Sequence, residues 1–148
     1  MAAIPKFSRR GRWLVPVGAV ADWLVKTEPG DYSFEKLTKE KETVWTGVRN
    51  PVAIKHLKSM KKGDRVIVYH TGDEKSAVGE AVVSSKEDDP KQPSEPRVTL
   101  RAGKPLENPI PLAEIKSSPL FSESPLVRIG RLSVVPLTAA QYAFLARG

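Results

Sequence analysis

Thirteen prolines and a set of short, unevenly spaced extended runs exclude most regular architectures for this 148-residue chain. The extended runs fall at 22–26, 65–70, 77–85, 97–102 and 131–135, and none of them repeats. Helical stretches are short and do not follow each strand in turn, so a doubly wound parallel sheet is not expected. The run at 65–70 has an unbroken apolar centre, Val66-Ile67-Val68, which predicts burial on both faces. The run at 77–85 pairs antiparallel with it, and Gly79 marks a bulge or a bend. In the fourth run Val98 and Leu100 point inward. Short helices are predicted up to Leu37 under an Asp31 or Ser33 cap, over 51–60, over 112–116, and over 139–146 under Thr138. Residues 39–43, 86–96 and 117–123 read as loops, residues 124–130 fit neither helix nor strand clearly, and Pro105, Pro109 and Pro111 bracket irregular chain. The expected fold class is α+β: a small mixed β-barrel of about five strands with peripheral short helices.

Composition removes several kinds of chemistry. There is no cysteine, which excludes disulfides, thiol catalysis and cysteine-based zinc sites and fits a cytoplasmic setting. Two histidines, His56 and His70, are too few for a histidine-built metal centre, so no metal and no cofactor are expected. No apolar run reaches the length of a membrane span. The net charge of +7 is partly local: Lys6, Arg9, Arg10 and Arg12 contribute +4 before residue 22, with no acid among them. Residues 1–21 read as an extension to a domain over 22–148. A basic start, an apolar run and the small residues Ala19-Val20-Ala21 resemble a signal peptide, but Pro16 and Gly18 interrupt the run, and a leader or tail is the plainer reading.

Residues 45–51, Trp-Thr-Gly-Val-Arg-Asn-Pro, set an aromatic ring, a glycine and a cation directly before a helix start. Asn50-Pro51 is an N-cap followed by proline at the first helical position. Val52, Ile54, Leu57 and Met60 then supply most of an apolar face. Between Arg49 and Arg65 six basic residues face one acid, Asp64. A solvated helix face is the commoner meaning of such a run. Its position beside Trp45 raises a second meaning, a cationic track for an anionic polymer.

Several segments in order resemble the EVE domain of the PUA-like superfamily: residues 23–29 (Trp-Leu-Val-Lys-Thr-Glu-Pro), 44–50 (Val-Trp-Thr-Gly-Val-Arg-Asn), 60–66 leading into Tyr69-His70-Thr71, 77–83, and 131–138. Together they span nearly all of 22–148. The resemblance implies a PUA-like β-barrel with a pocket for a flipped-out, modified base of DNA or RNA, and similarity to the YTH domains, which bind methylated adenine in an aromatic cage. It implies binding without catalysis, by a monomer. Two stretches depart from the family pattern: Pro96-Arg97-Val98-Thr99-Leu100 lacks an aromatic at the start of the fourth strand, and residues 86–90 lack a tyrosine.

The candidate base-binding residues are Lys26, Thr27, Glu28, Trp45, Val48, Arg49, Asn50, Tyr69, His70, Thr71, Arg131, Leu132 and Ser133, with Lys55, Lys58, Lys61 and Lys62 as phosphate contacts. Each has a plainer reading. Trp45 and Trp23 can both be core residues, and core is favoured for Trp23. Arg49 can hold a phosphate or brace its loop, and Asn50 is first a helix cap. His70, at a strand end, can be a structural hydrogen-bonder. Arg131 and Ser133 share a strand face opposite Leu132. Lys26, Thr27 and Glu28 also invite an amidohydrolase reading, as in the related ASCH domains, acting on a modified nucleoside. Strand alternation, however, turns Thr27 away from Lys26 and Glu28.

Overall fold

The computed structural model describes residues 21–89 and 92–148, and side chains outside 88–95. The expectations for residues 1–20 lie outside the described residues. Twelve elements follow one another among the described residues: β1 (Asp22–Thr27), α1 (Phe34–Glu40), β2 (Glu42–Val44), α2 (Pro51–Ser59), β3 (Arg65–His70), β4 (Ser76–Asp89), β5 (Gln92–Pro111), α3 (Leu112–Ser117), a 3₁₀ turn (Pro119–Phe121), α4 (Pro125–Arg128), β6 (Val134–Leu137) and α5 (Ala139–Ala146). The strands form a single mixed sheet in the order β2-β5-β4-β3-β1-β6. β1 runs parallel to β3, and every other pairing is antiparallel. The sheet curls into a barrel-like form without closing, and the α+β architecture is the PUA-like one that the resemblance implied.

The centre of the sheet is β3 flanked by β1 and β4. Val66, Ile67 and Val68 are fully enclosed, as their unbroken apolar run requires. β1 is buried on both faces over Trp23, Leu24 and Val25. Trp23 is a core residue whose Nε1 donates to Asp64 Oδ2 (2.9 Å). Asp64, itself buried, also accepts from the backbone N–H groups of Ala21 and Lys61, so its carboxylate is satisfied. Gly79 matters by close approach: a Cβ there would stand 2.4 Å from the Phe34 ring, and the β4–β5 register shifts on either side of it.

The structure corrects several boundaries. α1 reaches Glu40 and β2 begins at Glu42, so the expected 39–43 loop does not exist. The sixth strand is this short β2, held at the sheet edge by β5. β4 and β5 extend through much of the expected 86–96 loop, and β5 continues through Pro105, Pro109 and Pro111. Its many register shifts let a proline-rich segment stay in a ladder that a regular strand would lose. β6 starts at Val134, leaving Arg131, Leu132 and Ser133 in the approach to the strand. Residues 125–128 form α4. In α2 the inner face is Ala53 and Leu57, continued by the C-cap Met60, while Val52 is about half exposed.

Candidate functional site

A cleft of about 470 Å³ opens beyond the C-terminal end of β1. Three segments build it. The first is the end of β1 and its turn, supplying Lys26, Thr27, Glu28, Asp31 and Tyr32. Pro29-Gly30 forces the chain round, and the turn is knotted by its own hydrogen bonds. Glu28 O accepts from the N–H groups of Asp31 and Tyr32, Glu28 Oε1 accepts from Gly30 N (3.0 Å), and Thr27 Oγ1 donates to Tyr32 O (2.7 Å). The second segment is β2 and its continuation, from Thr43 to Val48. Trp45 N donates to Val98 O (2.8 Å), which prolongs the β2–β5 ladder by one residue. The chain then leaves the sheet at Gly47, whose φ of +82° suits glycine. The third is Ser133, whose carbonyl accepts from Lys26 N (2.8 Å).

Trp45 is both core and wall: it is 7% exposed and lines the cleft. Its aromatic partner is Tyr32, with ring centres 5.9 Å apart and planes at 86°. A flat ligand lying on one ring therefore meets the other edge-on. Tyr32 is fixed in turn by its hydroxyl, which donates to Glu40 Oε1 (2.6 Å). Desolvation, followed by that bond to Glu40, pushes the Tyr32 hydroxyl pKa up.

The polar edge of the cleft holds one cation and two carboxylates, Lys26, Glu28 and Asp31. Lys26 Nζ donates to Gly130 O (3.0 Å), and burial lowers its pKa from the usual lysine value. Lys26, Thr27 and Glu28 all line the cleft, and the Thr27 hydroxyl is taken up by Tyr32 O.

The remaining candidates are dispersed. Val48 also lines a second cleft, of about 710 Å³, on the other side of the 44–48 segment, together with Arg49. Tyr69 and Thr71 lie outside the main cleft and line a smaller one of about 190 Å³ that also touches Lys26. His70 is enclosed: Nε2 accepts from Phe34 N (3.0 Å), which leaves the ring proton on Nδ1 to donate to Glu74 Oε2 (2.9 Å). Leu132 is core, and Arg131 is exposed and lines none of the three clefts. The sequence placed Arg131, Leu132 and Ser133 in a strand. β6 begins only at Val134, three residues later, and of the three only Ser133 reaches the cleft. Asn50 is a cap, its Oδ1 accepting from Val52 N (2.8 Å) and Ala53 N (3.2 Å). Lys55, Lys58, Lys61 and Lys62 are exposed, and among the described residues none forms a side-chain ion pair.

Asp31, Tyr32, Thr43, Val44, Thr46 and Gly47 line the cleft without having been among the candidate base-binding residues. Tyr32 had one legible signal, its place in a turn after a Pro-Gly pair. Its meeting with Trp45 depends on sheet order and had none. Among the described residues no cluster of His, Asp and Glu could hold a metal ion, and no helix is long and apolar enough to cross a membrane.

Comparison with known proteins gives the cleft a context. A protein of Rhodopseudomonas palustris solved by NMR is 35% identical, with a TM-score of 0.79 over 86% of this chain and 92% of that one. A Leishmania major protein is 28% identical, with a TM-score of 0.80 over 86% and 93%. Human THYN1, solved in complex with DNA containing 5-methylcytosine, is 26% identical, with a TM-score of 0.77 over 85% and 95%. No curated protein sequence matches the chain. The EVE domain family model matches residues 21–147, and the chain belongs to that family.

Proposed function

We propose that this protein binds nucleic acid and takes one base, extruded from its stack, into the cleft between Trp45 and Tyr32. The observation that carries this reading is the division of polarity. The cleft combines two aromatic rings with an edge of Lys26, Glu28 and Asp31, whereas cations without an ion pair among the described residues lie outside it at Arg49, Lys55, Lys58, Lys61 and Lys62. Two carboxylates against one ammonium repel a phosphate but suit a neutral ring with amino and carbonyl groups. The backbone then stays outside, on the cationic surface, where it is held without regard to sequence. The volume falls within the ~300–1,000 Å³ typical of small-ligand sites. The THYN1 complex supports a methylated pyrimidine as the first modified base to try.

The test is fluorescence anisotropy with DNA and RNA oligonucleotides that differ in one modified base, beginning with 5-methylcytosine. Trp45→Ala is expected to abolish any preference for the modified strand, and Glu28→Gln, on an exposed side chain, to change which base is preferred. Thermal melts separate loss of binding from loss of fold. If both variants keep the wild-type preference, the cleft is not the base site. Hydrolysis of a modified nucleoside is less well supported, because Thr27 Oγ1 and Lys26 Nζ are both engaged with backbone carbonyls. Turnover of an acylated cytidine that is lost in Lys26→Ala would reverse that preference.

A further inference from the structure

The second cleft has a composition of its own. Its floor is apolar, made by Leu57 and Pro96 with Ile54 and Val48 partly covered, and its rim carries two exposed arginines, Arg49 and Arg97. Among the described residues neither arginine forms an ion pair, although Glu87 stands opposite Arg97 across the β4–β5 ladder. The start of α2 is not the attraction for an anion here, since Asn50 already occupies the N–H groups of Val52 and Ala53. An apolar floor under two guanidinium groups fits a nucleotide: guanidinium planes stack on bases and their N–H groups grip phosphate.

Val44 to Val48 forms the wall of both clefts. That wall is one chain thick, about 5 Å. At its crest, the backbone at Gly47 is open, with nothing within 4 Å of where a Cβ would stand. Bases stacked in one strand are only ~3.4 Å apart, so two neighbouring bases can straddle the wall only if they unstack across it. We propose that the second cleft seats the nucleotide adjacent to the base held by Trp45 and Tyr32, giving the protein a two-nucleotide footprint with the strand crossing at Gly47. The proposal rests on the base-binding reading above and adds a context requirement to it. The floor and the guanidinium plane of Arg97 recognise the neighbouring base by its flat face, and Arg49 holds its phosphate.

The probe is a short single-stranded DNA in which every position except one 5-methylcytosine is abasic, compared with the same strand carrying one restored base 5′ or 3′ of it. Binding to the full chain is followed by anisotropy and by amide resonance shifts. Restoring the base on one side is expected to tighten binding at least about fivefold and to shift Ile54 and Leu57. In Arg97→Ala, an exposed position that should not disturb the fold, that gain is expected to vanish. Shifts at Lys26 and Ser133 with no gain and no shift at Ile54 and Leu57 overturn the second site and leave the base-binding reading standing. A strand that shifts neither set overturns both. A gain that survives Arg97→Ala overturns the assignment of this cleft.

Discussion

Trp45 packs into the core at 7% exposure and still walls two clefts, so its two readings from sequence are not alternatives. Its aromatic partner in the main cleft is Tyr32, set edge-on at 5.9 Å by the turn after β1. Tyr32→Phe keeps the ring and removes the hydroxyl's exposed bond to Glu40 and its interaction with Thr43, together on the order of 1 kcal/mol. Its oligonucleotide affinity is expected to stay within about twofold of wild type. Tyr32→Ala removes an edge contact of about 0.5–1.5 kcal/mol and the adjoining wall, and affinity is expected to fall several-fold. Equal affinities for Tyr32→Ala and wild type in an anisotropy titration would remove Tyr32 from the site. At this scale the sequence pointed to Trp45, Lys26 and Glu28, which the structure places around one cleft. It did not show that Tyr32 would join them, because that meeting is between β1's turn and an edge strand far away in the sheet.

The elements are locked by a few specific contacts. Arg65 at the start of β3 reaches Asp22 at the start of β1 through both carboxylate oxygens (2.7 and 2.9 Å) and covers the Tyr142 ring from α5 at 4.2 Å. Tyr142 in turn donates to Glu80 on β4 (2.6 Å). Desolvation first, then the bond to Glu80, raises the Tyr142 pKa well above its ordinary 10.0. Above about pH 10 the unfolded tyrosine has lost its proton while the folded one keeps it. Folding then takes up a proton, and stability falls as pH rises. Lys26 acts oppositely: its folded pKa is lowered, so unfolding takes up a proton and stability rises towards pH 10.5. Urea melts from pH 9 to 11.5 are therefore expected to show a steeper alkaline loss for wild type than for Tyr142→Phe, and parallel curves would contradict the assignment. Gly79→Ala belongs to this scale too. A methyl group 2.4 Å from Phe34 must push α1 off the sheet, at an expected cost of about 1–3 kcal/mol in a denaturant melt. A variant as stable as wild type would show that α1 can give way.

Across the whole molecule, charge and shape are separated. The clefts lie around the 44–48 segment, and the exposed lysines of α2 and the turn after it lie beyond, without acid partners among the described residues. Each phosphate neutralised on a single strand contributes about 0.7 to the slope of log K against log salt concentration. The double variant Lys55→Ala, Lys58→Ala is expected to lower that slope by about 1.4 and to weaken all oligonucleotides alike, leaving base preference unchanged. An unaltered slope would place the backbone elsewhere.

The sequence by itself determined the local grammar of the chain. Asn50-Pro51 starts α2, Thr138 starts α5 with its capping box, and the Val66-Ile67-Val68 run is buried on both faces, because caps and apolar periodicity act within a few residues. Ordered segments over most of the chain also carried the family, which the family model bears out over 21–147. Tertiary structure alone decided membership of the cleft. It placed Ser133 inside and Arg131 and Leu132 outside by starting β6 at Val134, gave His70 to Phe34 and Glu74, and turned Tyr69 and Thr71 towards a different cavity. It also kept a proline-rich segment in β5, which local rules assign to irregular chain. The physical reason is the same in each case. Side-chain neighbours across a curled sheet are set by strand order and register shifts, and these minimise the free energy of the whole sheet, not of any one segment.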